Sequence, residues 1–451
     1  MHRRSPVLAV SMACSLLLAS ATDATAASST AASGRERHGP VELISHDLNG
    51  SHANLNSTSP AISTHGRYTA FISFASDIVI GDTNGASDAF LWDARNSRNW
   101  LVTKGFDDAP ANGNTSAPAI GASGRWVVYS SNATNLVRGD TNNAADIFVT
   151  DMRRGKTKLI SASPAGAPAN GPSLVPAITG DGRYITYASD ASNLVTDDPN
   201  GHERDVFRFD TDTGTTILIS RSASGGGADD ASYSSAISAD GNVVTFQSDA
   251  TNLVSGDTNG ASDVFAYDVT AASTSVVSAD VSGASADGAS FQPFISADGR
   301  YVSFTSAASD LVPDDANADW DGFLRDRTTG TTRALSVTPD GQPADGRSQF
   351  AVVSQDGAWA TFLSNASDLG LPARDGVSQV YLQNLATGAL TLVSVGLRGK
   401  PGNHDSDSTS ITGDGRHVAF SSAAGNLTDI EYRHGGDVFR YPYERVPPRR
   451  E

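Results

Sequence analysis

Five loops of this chain repeat a run of oxygen-bearing side chains that could hold a hard cation. Asp82, Asn84 and Asp88 stand in "GDTNGASD", and Asp140, Asn142 and Asp146, then Asp257, Asn259 and Asp263, keep the same spacing. Asp198, Asn200 and Asp205, with one extra residue, and Asp315, Asn317 and Asp321 complete the set. Alternating oxygen ligands in a tight Gly-containing turn are what Ca²⁺ requires. The pattern lacks a closing bidentate Glu and decays in two later copies, at Asp375 and Gln379 and at Asp429 and Asp437. Asx side chains also build such turns by bonding their own backbone, which is the preferred reading, with Ca²⁺ as the alternative.

A second polar set recurs at Asn54, Asn112, Asn170, Asp229, Asp287, Asp345 and Asn403. A third, at Asp77, Asn135, Asn193, Asn252, Asp310, Asp368 and Asn426, is followed each time by Leu or, once, by Ile78. That pairing reads as an Asx turn pinned by a buried aliphatic group, a structural element. Contiguous motifs for chemistry are missing. There is no G-x-S-x-G elbow, no H-E-x-x-H and no Gly-rich phosphate loop, and none of the nine His recurs from copy to copy. The expectation is therefore a protein that is not an enzyme.

The elements that position these residues follow from a repeat. A Gly before an apolar run recurs at Gly66, Gly124, Gly182, Gly241, Gly299, Gly357 and Gly415, at spacings of 58 or 59 residues. An aromatic keeps the same beat at Phe90, Phe148, Phe207, Phe265, Phe323, Tyr381 and Phe439, and a serine does so at Ser73, Ser131, Ser189, Ser248, Ser306, Ser364 and Ser422. Each unit holds four short runs of β-branched and aromatic residues bounded by Gly, Asp, Pro and Asn turns, as in "PFIS", "YVSFTS", "GFLRD" and "TRALS". Seven units of four strands predict an all-β fold, a seven-bladed β-propeller whose blades bury both faces against their neighbours. The seventh unit stops after its third strand, and "VELIS" at 41–45 matches the missing fourth, so the N-terminal strand is expected to complete the last blade and close the ring. In that ring the long loops share one face, and the Asn54 set would circle the mouth of the central channel. A small molecule or peptide end could bind there, although Asn-Gly and Asp-Gly also serve simply as turns.

Segments such as "FISADGRYVSFTS" with "DGFLRD", and "AITGDGRYITYAS" with "DVFRFDTDTGTTILIS", resemble the TolB-like (PD40, or WD40-like) repeat. The resemblance covers nearly the whole chain after its first 40 residues. It implies the propeller and leaves function open, because that repeat serves scaffolds, partners of receptors and domains attached to enzymes. Two departures set it apart from TolB itself: no α/β domain precedes the repeats, and a long insertion separates each second and third strand.

Residues 1–26 read as a secretory signal peptide, with Arg3 and Arg4, an apolar run from Val7 to Leu18 and a cleavage site at Ala24-Thr25-Ala26. Residues 27–40 read as a disordered leader, 41–446 as the propeller and 447–451 as a tail. The sole cysteine, Cys14, lies inside the signal, so the exported chain is expected to fold without disulfides. No later stretch is apolar enough to span a membrane. A formal charge of −18 makes nucleic acid a poor partner. The expectation is a secreted or extracytoplasmic monomer, a non-catalytic recognition module for a protein, peptide or glycan of the envelope or exterior. A polysaccharide hydrolase or lyase and a calcium-stabilised envelope protein are the alternatives.

Overall fold

The computed structural model describes residues 41–313, 315, 317, 319–430 and 435–442. The signal, leader and tail expected at 1–26, 27–40 and 447–451 lie outside these residues, as do 443–446 at the end of the expected domain.

Seven four-stranded antiparallel sheets make up the fold. In the first blade the strands are Ser57–Ile62, Tyr68–Ser73, Asp88–Asp93 and Arg98–Leu101, running in chain order from inside to outside. The innermost strands touch one another in sequence around a circle, and that of the seventh blade, Ser406–Ile411, returns to Ser57–Ile62. This is a seven-bladed β-propeller. Its ring closes as the sequence predicts: Glu42–Leu43 pairs with Asp437–Pro442 as the outermost strand of the seventh blade, with Leu43 opposite Phe439. Among the described residues the only helix is one 3₁₀ turn, Leu397–Gly399, and none is long and apolar enough to cross a membrane.

The recurring aromatics form the heart of each blade. Phe71 and Phe90 face each other across the second and third strands with ring centroids 5.6 Å apart, and the same pair recurs through to Phe420 and Phe439 at 5.7 Å. Offset stacking in a dry interior adds to the area these rings bury.

The recurring glycines join one blade to the next. Gly124 and Gly182 sit at φ of 72° and 85°, in the turn after the innermost strand. A Cβ there would lie 2.2 Å from the Tyr68 ring and 2.2 Å from the Trp126 ring, each belonging to the preceding blade. At the seam Gly66 meets His417 in the same way. Gly182→Ala therefore combines a left-handed backbone, about 1–2 kcal/mol, with overpacking of about 1–3 kcal/mol. Gly139, at φ 87° with no atom within 4 Å of its would-be Cβ, carries only the first cost. Denaturant midpoints should thus fall clearly further for Gly182→Ala than for Gly139→Ala.

One feature leaves no mark in the sequence. The third residue of the innermost strand has positive φ in six blades, at Ser59, Ala117, Val175, Ser234, Gln292 and Phe350, beside a slip in the pairing with the second strand. These are β-bulges, which twist a strand and re-aim its side chains. In the seventh blade the slip falls between Ser406 and Ser408, so Asp407 becomes the extra residue, and it is exposed.

Candidate functional site

The loops read as cation candidates are braced from within. In the first blade Thr103 Oγ1 donates to Asp88 Oδ1 at 2.5 Å, and Asn84 Nδ2 donates to Asp88 Oδ2 at 2.6 Å and to the Ala111 carbonyl at 2.8 Å. Asn142 and Ser161 do the same for Asp146, and Asn259 and Ser278 for Asp263. Asn84, Asn142 and Asn259 thus turn an N–H toward the carboxylate, while their oxygens accept the backbone N–H two residues on. A cation needs oxygen in that place. Asp82, Asp140 and Asp257 are buried, and burial raises their pKa. The oxygens left over in these loops are Oδ1 of Asp140 and Asp257 and, in the third blade, Asp198 Oδ2, Asn200 Oδ1 and Asp205 Oδ2, all buried without a hydrogen-bond partner. Among the described residues no group of three or more His, Cys, Asp or Glu is arranged to hold a metal ion. The sixth blade shows the structural logic of the brace: Gln379 alone accepts from Ser394 Oγ and donates to the Gly402 carbonyl, replacing the Asp–Asn pair.

The Asn54 set and the Asp77 set, separate in the sequence, are two halves of another brace. Asn54 N donates to Asp77 Oδ1, while the Asn54 side chain bonds Ser76 N and Ser76 Oγ, at 3.0–3.1 Å throughout. Asn112, Asn170 and Asp229 repeat this on Thr134–Asn135, Ser192–Asn193 and Thr251–Asn252. Asp287 and Asp345 repeat it on Ser309–Asp310 and Ser367–Asp368. Asn403 keeps only its N–H bond to Asn426. Six of the seven side chains therefore tie two loops of their own blade together.

What distinguishes one blade from another at the channel mouth lies in two other positions. The residue before each third strand is Ser87, Ala145, Ser262, Ser378 or Gly436 in five blades, but Arg204 in the third and Trp320 in the fifth. The second residue of each innermost strand is Thr58, Ser116, Leu174, Gln349 or Asp407, but Tyr233 in the fourth blade and Phe291 in the fifth. These exceptions meet. Phe291 stacks on Trp320 with centroids 4.7 Å apart, and Arg347, just before the sixth innermost strand, lies over Trp320 at 5.2 Å. Arg204 lies over Tyr233 at 5.4 Å and forks onto Asp190 at 2.5 and 3.0 Å. Burial and the Asp249 carboxylate push the Tyr233 phenol up to about 12. Tyr233, Phe291 and Trp320 are each half-buried, and Arg347 is exposed. The mouth therefore has an aromatic and arginine side on blades three to six, and a small polar side at Thr58, Ser116 and Asp407.

No protein-family model and no curated protein matches the chain. Among solved structures it resembles an oligogalacturonate lyase from Vibrio parahaemolyticus, at 13% identity over 88% of this chain and 96% of that one, with a TM-score of 0.53. It resembles the acylaminoacyl peptidase of Pyrococcus horikoshii at 10% identity over 85% of this chain and 52% of that one, TM-score 0.50. TolB from Acinetobacter baumannii matches at 15% identity over 80% and 76%, TM-score 0.40. At these identities the shared property is the fold. The comparison corrects the expectation that the chain is not an enzyme, since two of these propeller-bearing proteins are enzymes. The physical reason is that a propeller gathers a site from side chains on different blades. Such a site leaves no contiguous motif to find.

Proposed function

We propose that this chain is an exported propeller that captures its ligand at the channel mouth on the long-loop face, over Arg204, Tyr233, Phe291, Trp320 and Arg347. The observation that supports this reading is the break in the repeat. Positions filled by small or polar residues in most blades carry large aromatic or guanidinium groups in neighbouring blades, and these groups contact one another. Half-buried aromatics with a few placed polar groups are the ordinary lining of a ligand site. The signal-like first 26 residues support export.

The test compares the chain lacking residues 1–26 with its Tyr233→Ser, Trp320→Ser double variant on glycan and peptide arrays. Serine stands at 262 and 378, the counterparts of Trp320, so the fold accepts it there. Binding is expected to fall at least roughly tenfold, a loss of about 1.4 kcal/mol, with an unchanged melting temperature. Equal binding by the two proteins would remove the mouth from consideration. Product release scored in the same wells reports whether a captured ligand is also turned over.

A further inference from the structure

Arg347 points to the class of ligand. Several arginines at blade surfaces find a carboxylate, while others, such as Arg98 over Trp100 and Arg138 over Phe106, lie against a ring. Arg67, Arg125, Arg183 and Arg300 pair with Asp93, Asp151, Asp210 and Asp326 on the short-turn face, and Arg204 pairs with Asp190 at the mouth. Arg347 is exposed and has no carboxylate partner among the described residues; its guanidinium lies over the Trp320 ring. A ring neighbour does not consume the guanidinium's N–H donors, which leaves a fork able to meet a carboxylate. The strand it precedes starts with Ser348 N donating to the Trp320 carbonyl at 2.6 Å, so backbone as well as ring holds the two residues together.

Beside this fork lie apolar ring surfaces in a row, Trp320, Phe291 and, one blade back, Tyr233. Next to Tyr233 the Arg204–Asp190 pair offers donors and acceptors, and the Tyr233 hydroxyl donates to Asp249 at 3.3 Å. A ligand that satisfies all of these has a carboxylate, flat apolar faces and many hydroxyls, and extends over more than one blade. Resting on the reading of the mouth as the binding site, we propose that this arc takes an acidic oligosaccharide, with Arg347 receiving the carboxylate of a uronate unit and the aromatic rings receiving the C–H faces of the sugars.

The experiment is calorimetric titration of the chain lacking residues 1–26 with uronate tetrasaccharides of gluco, galacto and manno configuration. Each is paired with its methyl ester, which has nearly the same shape and no charge. At least one uronate should bind roughly tenfold more tightly than its ester. Arg347→Gln should bring the two to parity. Trp320→Ser should weaken both. Position 347 corresponds to Asn56, Asn114, Pro172, Ala231, Ala289 and Asp405 in the other blades, so the substitution spares the fold. Parity between uronate and ester in the wild-type chain, or a preference that survives Arg347→Gln, overturns the role of Arg347. No binding of any saccharide, alongside a peptide captured on the arrays and lost in the double variant, overturns the ligand class and keeps the mouth. Array binding that the double variant retains overturns the mouth itself.

Discussion

Asp437→Ala should open the ring, lowering the stability of the folded chain by about 1–3 kcal/mol, the usual cost of leaving buried hydrogen-bonding groups without their partner. Asp437 is buried where the two ends of the polypeptide meet. Its Oδ1 accepts from Ser45 Oγ at 2.8 Å, and its Oδ2 meets His52 Nδ1 at 2.6 Å. Both partners are buried and belong to the N-terminal segment. Ser45 Oγ also accepts from Val438 N, and Ile44 N donates to the Val438 carbonyl. Val41, Leu43 and Ile44 lie in the core beside this point, and burying each is worth about 1.5–3 kcal/mol. Those gains are kept only while the strand stays docked.

The control is Asp321→Ala in the fifth blade. Asp321 accepts from Ser336 in the same geometry at 2.6 Å, but a tight turn tethers its outermost strand, Thr331–Ala334, to the third. In the seventh blade the corresponding contact spans nearly the whole chain, and closing so long a loop adds an entropic cost that the clasp must hold against. Asp437→Ala should therefore lower the denaturant midpoint more than Asp321→Ala and expose residues near 41–45 to protease under native conditions. Equal midpoints with no N-terminal cleavage would show that the ring does not depend on this clasp.

The sequence carried the ring in full because the repeat is a statement about burial. Each apolar position recurs since each blade buries the same faces, and "VELIS" could be matched to the missing strand by pattern alone. The reasons behind individual residues were less accessible. Gly124 reads as a turn glycine, but its contact with the Tyr68 ring is a relation between blades that spacing does not express. Asn54 and Asp77 read as two features, although they share one brace, because hydrogen bonds between loops are invisible in a linear pattern. Asp88 allowed both a turn reading, the preferred one, and a cation reading, since an oxygen-rich turn has the same composition whether it faces an ion or an amide. The aromatic and arginine side of the mouth was passed over for another reason. A search for residues that recur passes over the columns where recurrence fails, and Arg204, Tyr233, Phe291 and Trp320 stand out only when the seven copies are compared position by position.

Acidification from pH 7 toward pH 4.5 should stabilise the protein. Burial raises the carboxyl groups of Asp88, Asp146, Asp205, Asp263 and Asp321 from 3.8 to about 6, against the opposing effect of the hydroxyl and Asn side chains that donate to them. Because the folded pKa lies above the unfolded one, the folded state binds more protons between these two values. Stability therefore falls as pH rises through that window. The contribution is complete below about 3.8 and gone above about 6. Each pKa unit corresponds to about 1.4 kcal/mol, so each site contributes roughly 1–3 kcal/mol, and all five act in the same direction. The arginine-paired carboxylates act oppositely. Hydrogen bonds from Arg67 and Arg125 hold Asp93 and Asp151 below the usual range, and Arg300 holds Asp326 at about 2, so their stabilisation is present above 3.8 and is lost only in stronger acid. These pairs are partly exposed and individually weak. The stability maximum should therefore lie between pH 4 and 5. Urea midpoints at constant high salt measure this, since salt screens the repulsion of the acidic surface but leaves buried sites largely untouched. Gln379 shows that a neutral side chain fills the same place in the sixth blade. Accordingly, each Asp→Asn change at the five sites should remove about one fifth of the rise, by equal partition among them. A profile that is flat or declining from pH 6 to 4.5 would mean these carboxylates titrate as though they were in water.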